Sequence, residues 1–177
     1  METLLFVNAC ISMKGEAGSR TYKMCREYLD KHLTAHPNTK VEEVKLEVIR
    51  PQPFDRETIL HRENRVDKGL FDDPIFDLSR QFIAADFILV GAPYWDLSFP
   101  AVLKAYIEHV TVRDLAFRFT GEKIVGQARA KKLVYITTAG GYVGDYDFGA
   151  DYFRGLCGFY GIGEFESLSQ EGLDIKM

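Results

Sequence analysis

The stretch Asp86-Phe87-Ile88-Leu89-Val90-Gly91-Ala92-Pro93-Tyr94-Trp95-Asp96-Leu97-Ser98-Phe99-Pro100 decides the architecture of this chain. Its first half is continuously apolar and rich in branched residues. It does not alternate with polar ones, which is the pattern of a strand buried on both faces. Gly91 and Pro93 end the run, an aromatic loop follows, and Pro100 suits the start of a helix. Val102, Leu103, Tyr106, Ile107 and Val110 carry that helix to about Val110. A buried strand running through a short loop into a helix is the repeating unit of a parallel sheet.

The same unit recurs on either side. Asp73-Pro74 opens a helix that reaches about Ala85. Leu4 to Ala9 is another buried strand. Ser19 caps a helix to about Ala35, with Tyr22, Cys25, Leu29 and Leu33 on one stripe. Val41 to Ile49 alternates as an outer strand would, and Arg50 to Phe71 reads as a long polar loop with about one helical turn. Lys132–Thr138 and Gly161–Leu168 supply two more strands, with a helix over about 147–159 between them. The expectation is one α/β domain over residues 1–177. Its core is a doubly wound parallel sheet of five strands in three layers.

Composition narrows the function. With 46% hydrophobic and 27% charged residues the chain is neither disordered nor membrane-embedded. A net charge of −4 gives no basic footprint for nucleic acid. No apolar run is long enough for a membrane span, so no membrane partner is expected. Cys10, Cys25 and Cys157 fit free thiols in a reducing, cytoplasmic setting. The histidines offer no third metal ligand, so no metal is expected. Asp145, Asp147 and Asp151 read as the acidic front of a helix.

A doubly wound sheet binds ligands past the carboxyl ends of its strands, which singles out three loops. The first, 10–21, ends at a helix N-terminus, where backbone N–H groups make an anion site; Ser19, Thr21 and Arg20 add hydroxyls and charge. It lacks the G-x-G-x-x-G and Walker patterns. Glu16 stands where a phosphatase loop begun at Cys10 would need arginine. The second loop, Pro93-Tyr94-Trp95-Asp96-Leu97, offers aromatic walls to a flat ring. The third, Thr138-Ala139-Gly140-Gly141-Tyr142, brings backbone N–H groups close to a ligand. A phosphate end, an aromatic wall and an amide-rich end together suit a mononucleotide with a large ring.

Ala92-Pro93-Tyr94-Trp95-Asp96-Leu97-Ser98-Phe99-Pro100-Ala101-Val102-Leu103-Lys104-Ala105-Tyr106-Ile107-Glu108-His109-Val110 resembles the long signature of the FMN-dependent NADH:quinone oxidoreductases, or azoreductases. Phe117-Arg118-Phe119-Thr120, Thr138-Ala139-Gly140-Gly141 and Ser19-Arg20-Thr21 resemble its shorter motifs. The resemblance implies a flavodoxin-like fold with strand order 2-1-3-4-5, non-covalent FMN, NADH or NADPH as donor, and a homodimer. It implies ping-pong reduction of quinones, azo or nitro aromatics. Ser19, Arg20 and Thr21 would serve the phosphate. Pro93 to Leu97 would line the ring and ribityl chain, and Thr138 to Gly141 would meet the pyrimidine end. Phe119 and Tyr142 would shape the substrate pocket, Phe119 in the neighbouring subunit. No side chain has to act as acid or base, so no catalytic residue is named. Asp96 stands where many relatives have asparagine, and Ala139 where some have arginine. The family's usual closing helix is expected to be missing or truncated. A flavodoxin-type electron carrier and a non-catalytic flavin-binding redox sensor are the rival readings.

Overall fold

The computed structural model describes residues 1–175; Lys176 and Met177, where the expected domain ends, lie outside the described residues. Side-chain alternation builds the three layers. In β1 (Thr3–Asn8), Leu4 and Phe6 pack on one face while Leu5 and Val7 pack on the other. β3 (Phe87–Gly91) and β6 (Lys132–Thr138) divide in the same way: Leu89, Val134 and Ile136 join the first face, and Ile88, Val90, Leu133 and Tyr135 the second. Such strands must be apolar throughout, which is why they are plain in the sequence.

β2 (Lys40–Lys45) and β7 (Glu164–Gln170) complete a five-stranded parallel sheet in the order β2-β1-β3-β6-β7. Counted within the sheet this is 2-1-3-4-5, as expected. Helix α2 (Arg20–Ala35) covers the first face through Cys25 and Leu29. Helices α5 (Asp77–Ala84), α6 (Ala101–Val110) and α7 (Phe148–Tyr160) cover the second through Phe82, Leu103, Tyr106, Phe153 and Tyr160. The chain leaves β1 toward β2 and later returns to the other side of β1 with β3. The ends of β1 and β3 therefore mark the switch point where ligands sit.

Three expectations need correction. The outer strand does not reach Ile49. It stops at Lys45, and Leu46–Ile49 forms one helical turn, α3, because Leu46 is drawn fully into the core beside Val44. The 50–71 segment is not a loop. Arg56–Asp67 is helix α4, capped by Asp55, whose carboxylate accepts from Thr58 N–H at 2.8 Å. Only Val66 of α4 is buried, so no apolar stripe announces it. Its ion pairs Arg65–Asp73 and Arg113–Asp67 tie it to the body instead. The helix expected from Asp73 opens with a short 3-10 turn, Pro74–Phe76, before α5.

Between α6 and β6 lies a feature absent from the sequence reading. Phe117–Thr120 (β4) and Lys123–Gly126 (β5) pair as an antiparallel hairpin, with Gly121 at φ 62° in its two-residue turn. Gly126 rests directly on the end of α7: a Cβ there would lie 1.9 Å from the Tyr160 carbonyl carbon. A four-residue helix, Gly15–Gly18 (α1), fills the first candidate loop. No helix among the described residues is long and apolar enough to cross a membrane.

Candidate functional site

Past the carboxyl ends of β1, β3 and β6 the three loops enclose one cleft of about 570 Å³, well within the range of small-ligand sites. Ser19, Arg20, Thr21, Pro93, Tyr94, Trp95, Thr138 and Gly140 line it, as do Ile11, Ser12, Met13, Lys14, Gly18 and Asp174. Of the remaining expected residues, Ala139 is buried, Asp96, Leu97 and Gly141 are exposed, and none of the four lines the cleft.

The phosphate end is built by the start of α2. Ser19 Oγ accepts from Tyr22 N–H at 3.2 Å, and its carbonyl accepts from Lys23 N–H. The hydroxyl hydrogen of Ser19 is thereby left to donate elsewhere. The backbone N–H groups of Arg20 and Thr21 have no acceptor among the described residues, as the first turn of a helix requires. Both donors sit at the positive end of a 16-residue helix.

The side chains of Arg20 and Thr21 are otherwise engaged. Thr21 Oγ1 lies 2.7 Å from Thr138 Oγ1, both buried, so the two hydroxyls bond each other and tie α2 to β6. The Arg20 guanidinium donates to Asp174 at 2.9 and 3.2 Å. That contact holds the Asp174 carboxyl below its ordinary range. Asp174 has no sequence signal: it is one more charged residue after the last strand.

Tyr94 N–H donates to the Thr138 carbonyl at 3.0 Å, and its phenol donates to the Tyr146 carbonyl at 3.1 Å. The second and third loops are thus joined, with the half-exposed Trp95 beside them. Trp95 and Ser98 close a tight turn by reciprocal backbone bonds of 3.2 and 2.8 Å. Its central residues, Asp96 and Leu97, take φ of 49° and 66°. Asparagine and aspartate tolerate that left-handed conformation through local hydrogen bonding. Leucine has no such compensation, so Leu97 is strained.

In the third loop, Gly140 and Gly141 accept from Asp174 N–H and Gly172 N–H, each at 2.9 Å, while their own N–H groups have no acceptor among the described residues. Tyr142 is largely exposed and does not line the cleft. Phe119 is not brought to this cleft. It stands 60% exposed on the hairpin, touching Phe117, which packs on Phe159.

The cysteines are free and buried. Cys10 and Cys25 meet beneath the first loop, against Gly91, where a Cβ would lie 2.4 Å from Cys25 Sγ and 2.9 Å from Cys10 Sγ. The Cys25 thiol and burial push the Cys10 thiol up, away from the thiolate form. The described residues hold no group of three or more histidines, cysteines or carboxylates able to bind a metal.

The cleft thus brings together unpaired N–H donors and the Ser19 hydroxyl at the start of α2, the aromatic Tyr94 and Trp95, and the Gly140 N–H. That donor set fits a phosphate-bearing aromatic ligand such as FMN. A family model described as flavodoxin-like fold matches residues 2–177. The chain belongs to that flavodoxin-like family. It is 32% identical to an FMN-dependent NADH:quinone oxidoreductase of Clostridium beijerinckii, with 99% of this chain aligned to 89% of that protein. A second such oxidoreductase, from Clostridium acetobutylicum, is also 32% identical, over 99% of this chain and 88% of its own length. Among solved structures, azoreductase AzrA superposes with a TM-score of 0.83 at 25% identity, over 97% of this chain and 88% of that one. An azoreductase of Bacillus anthracis shares the fold with a TM-score of 0.84 at 24% identity, over 98% and 88%.

Proposed function

We propose that this chain is an FMN-dependent oxidoreductase. It takes two electrons from NADH or NADPH and passes them, by a ping-pong mechanism, to quinones, azo compounds or nitro aromatics. The observation that carries this reading is the single cleft. A helix-end anion site, an aromatic wall and the free Gly140 N–H meet in about 570 Å³ at the switch point of the sheet. The similarity to FMN-dependent NADH:quinone oxidoreductases supports its FMN, NADH and quinone parts.

Bound FMN supplies the two-electron chemistry. The protein's share is placement. Ser19 and the Arg20 and Thr21 N–H groups take the phosphate, Pro93 to Leu97 follow the ring and ribityl chain, and Thr138 to Gly141 meet the pyrimidine edge. No side chain is required as acid or base. Tyr142 borders the substrate slot. Phe119, pointing away from its own cleft, is proposed to complete the slot of a second copy. A groove of about 520 Å³ between α4, α6 and α7, lined in part by Phe54, Ile59, Ile107, Leu156 and Phe159, is the face we propose for the homodimer. The cytoplasm is the proposed setting.

The test is the visible spectrum of the purified protein, followed by anaerobic NADH and then benzoquinone. Yellow protein that bleaches and recovers supports the reading. Yellow protein that NADH cannot bleach favours a carrier or sensor. Colourless protein that refuses added FMN refutes it.

A further inference from the structure

We infer that Asp174 sets how tightly the cleft holds a phosphate-bearing ligand, as a resident anion that competes with the phosphate for Arg20. This rests on the flavin reading above and adds to it a residue with no sequence signal.

The carboxylate is delivered by backbone. Gly172, Leu173 and Asp174 donate N–H bonds to the carbonyls of Gly141, Ala139 and Gly140 at 2.9, 3.3 and 2.9 Å, zipping a short strap onto the third loop. Gly140 leaves the space the strap needs: a Cβ there would lie 2.2 Å from Asp174 Oδ2. Asp174 is thus held on the cleft wall, opposite the first turn of α2. There it takes both arms of the Arg20 guanidinium.

Ser12 and Ser19 line the same cleft, and Lys14 brings a second cation to it. A phosphate drawn to these donors meets a carboxylate already in place. Asp174 already occupies both terminal nitrogens of that guanidinium and offsets its charge. Arriving phosphate must therefore draw Arg20 from Asp174, leaving that carboxylate unpaired, or share a guanidinium whose charge is already offset. Either way Asp174 weakens binding, and only for a ligand that carries the phosphate.

Riboflavin has the ring and ribityl chain of FMN but no phosphate, so the two ligands separate charge from shape. Trp95, the only tryptophan, lies on the cleft and reports both by fluorescence quenching. Protein stripped of flavin is titrated with FMN and with riboflavin, for the native chain, D174N and D174A. FMN should bind both variants about three- to tenfold more tightly, the size of a screened repulsion between neighbouring exposed anions. Riboflavin affinity should stay within about twofold. Unchanged or weaker FMN binding would overturn the inference. So would an equal gain for both flavins, which would make the strap a steric lid. If neither flavin binds the native chain, the flavin reading itself falls and this inference goes with it.

Discussion

Replacing Thr21 with valine tests whether the cleft floor is held by a single side-chain bond. Thr21 and Thr138 are 1% and 8% exposed, and their hydroxyl oxygens are 2.7 Å apart. Valine matches threonine in shape, so Thr21→Val opens almost no cavity. It leaves the Thr138 hydroxyl buried without that partner, at a cost of about 1–3 kcal/mol. For a chain of this length each kcal/mol is about 2–4 °C in melting temperature. The single variant should therefore melt about 2–12 °C lower. Thr138→Val should do the same, for the mirror reason. The double variant removes both polar groups and should recover to within about 2 °C of the native protein, because replacing both partners by apolar groups of like shape is nearly neutral. The assay is a double-mutant cycle by thermal or urea unfolding of the flavin-free protein. Additive losses would refute the bond. FMN affinity adds a second reading: with the Thr21 hydroxyl turned inward, T21V should keep it within about threefold, since the phosphate is left to backbone N–H groups and Ser19. A loss of about a hundredfold would show that Thr21 turns outward to the ligand.

Three further outcomes follow from the same structure. Leu97→Gly relieves a left-handed leucine and should stabilise the flavin-free protein by about 0.5–1 kcal/mol; a fall in melting temperature would mean the turn stores no strain. Asp86 is buried and accepts from Thr3 N–H at 2.8 Å and from Arg129 at 2.6 Å. Burial pushes its carboxyl up, but these partners outweigh that and hold it below the usual range. Its stabilisation is thus present above the unfolded carboxylate range and lost as pH falls through it. Asp86→Ala should cost about 2 kcal/mol at pH 7, with the gap to the native chain closing below about pH 4; a gap unchanged across that range would count against the pairing. Phe119→Ala should raise the KM for benzoquinone several-fold while leaving bound FMN unchanged, and an unaltered KM would remove Phe119 from the substrate slot.

How far the sequence could be read depended on burial. β1, β3 and β6 are covered on both faces, so Leu4–Val7, Phe87–Val90 and Leu133–Ile136 had to be apolar without interruption; the connections implied a doubly wound sheet, and its strand order came from the family resemblance. The three loops were legible because each follows a strand end, which is where such a sheet presents its ligands. Helix α4 was not legible. Its residues are polar around most of the circumference, and caps and ion pairs hold it in place of an apolar stripe. The β4–β5 hairpin escaped for a related reason: its strands are four residues each and lie half in solvent, too short for a period to show. Arg20 was placed correctly at the start of α2, but its engagement by Asp174 depends on a contact 154 positions away. No local pattern encodes such a contact.

The Cys25 thiol pressed against Gly91 also makes a clock. Cys25 is wholly buried on the inner side of α2, so a thiol-specific dye labels it only once that seam parts. In the fast-reclosing limit the labelling rate then measures the free energy of one local opening, separately from global unfolding. A ligand held by the first turn of α2 must slow the clock by the factor by which it favours the closed seam. Labelling timed across a ligand titration would therefore yield a binding curve for a colourless phosphate compound that no spectrum can follow.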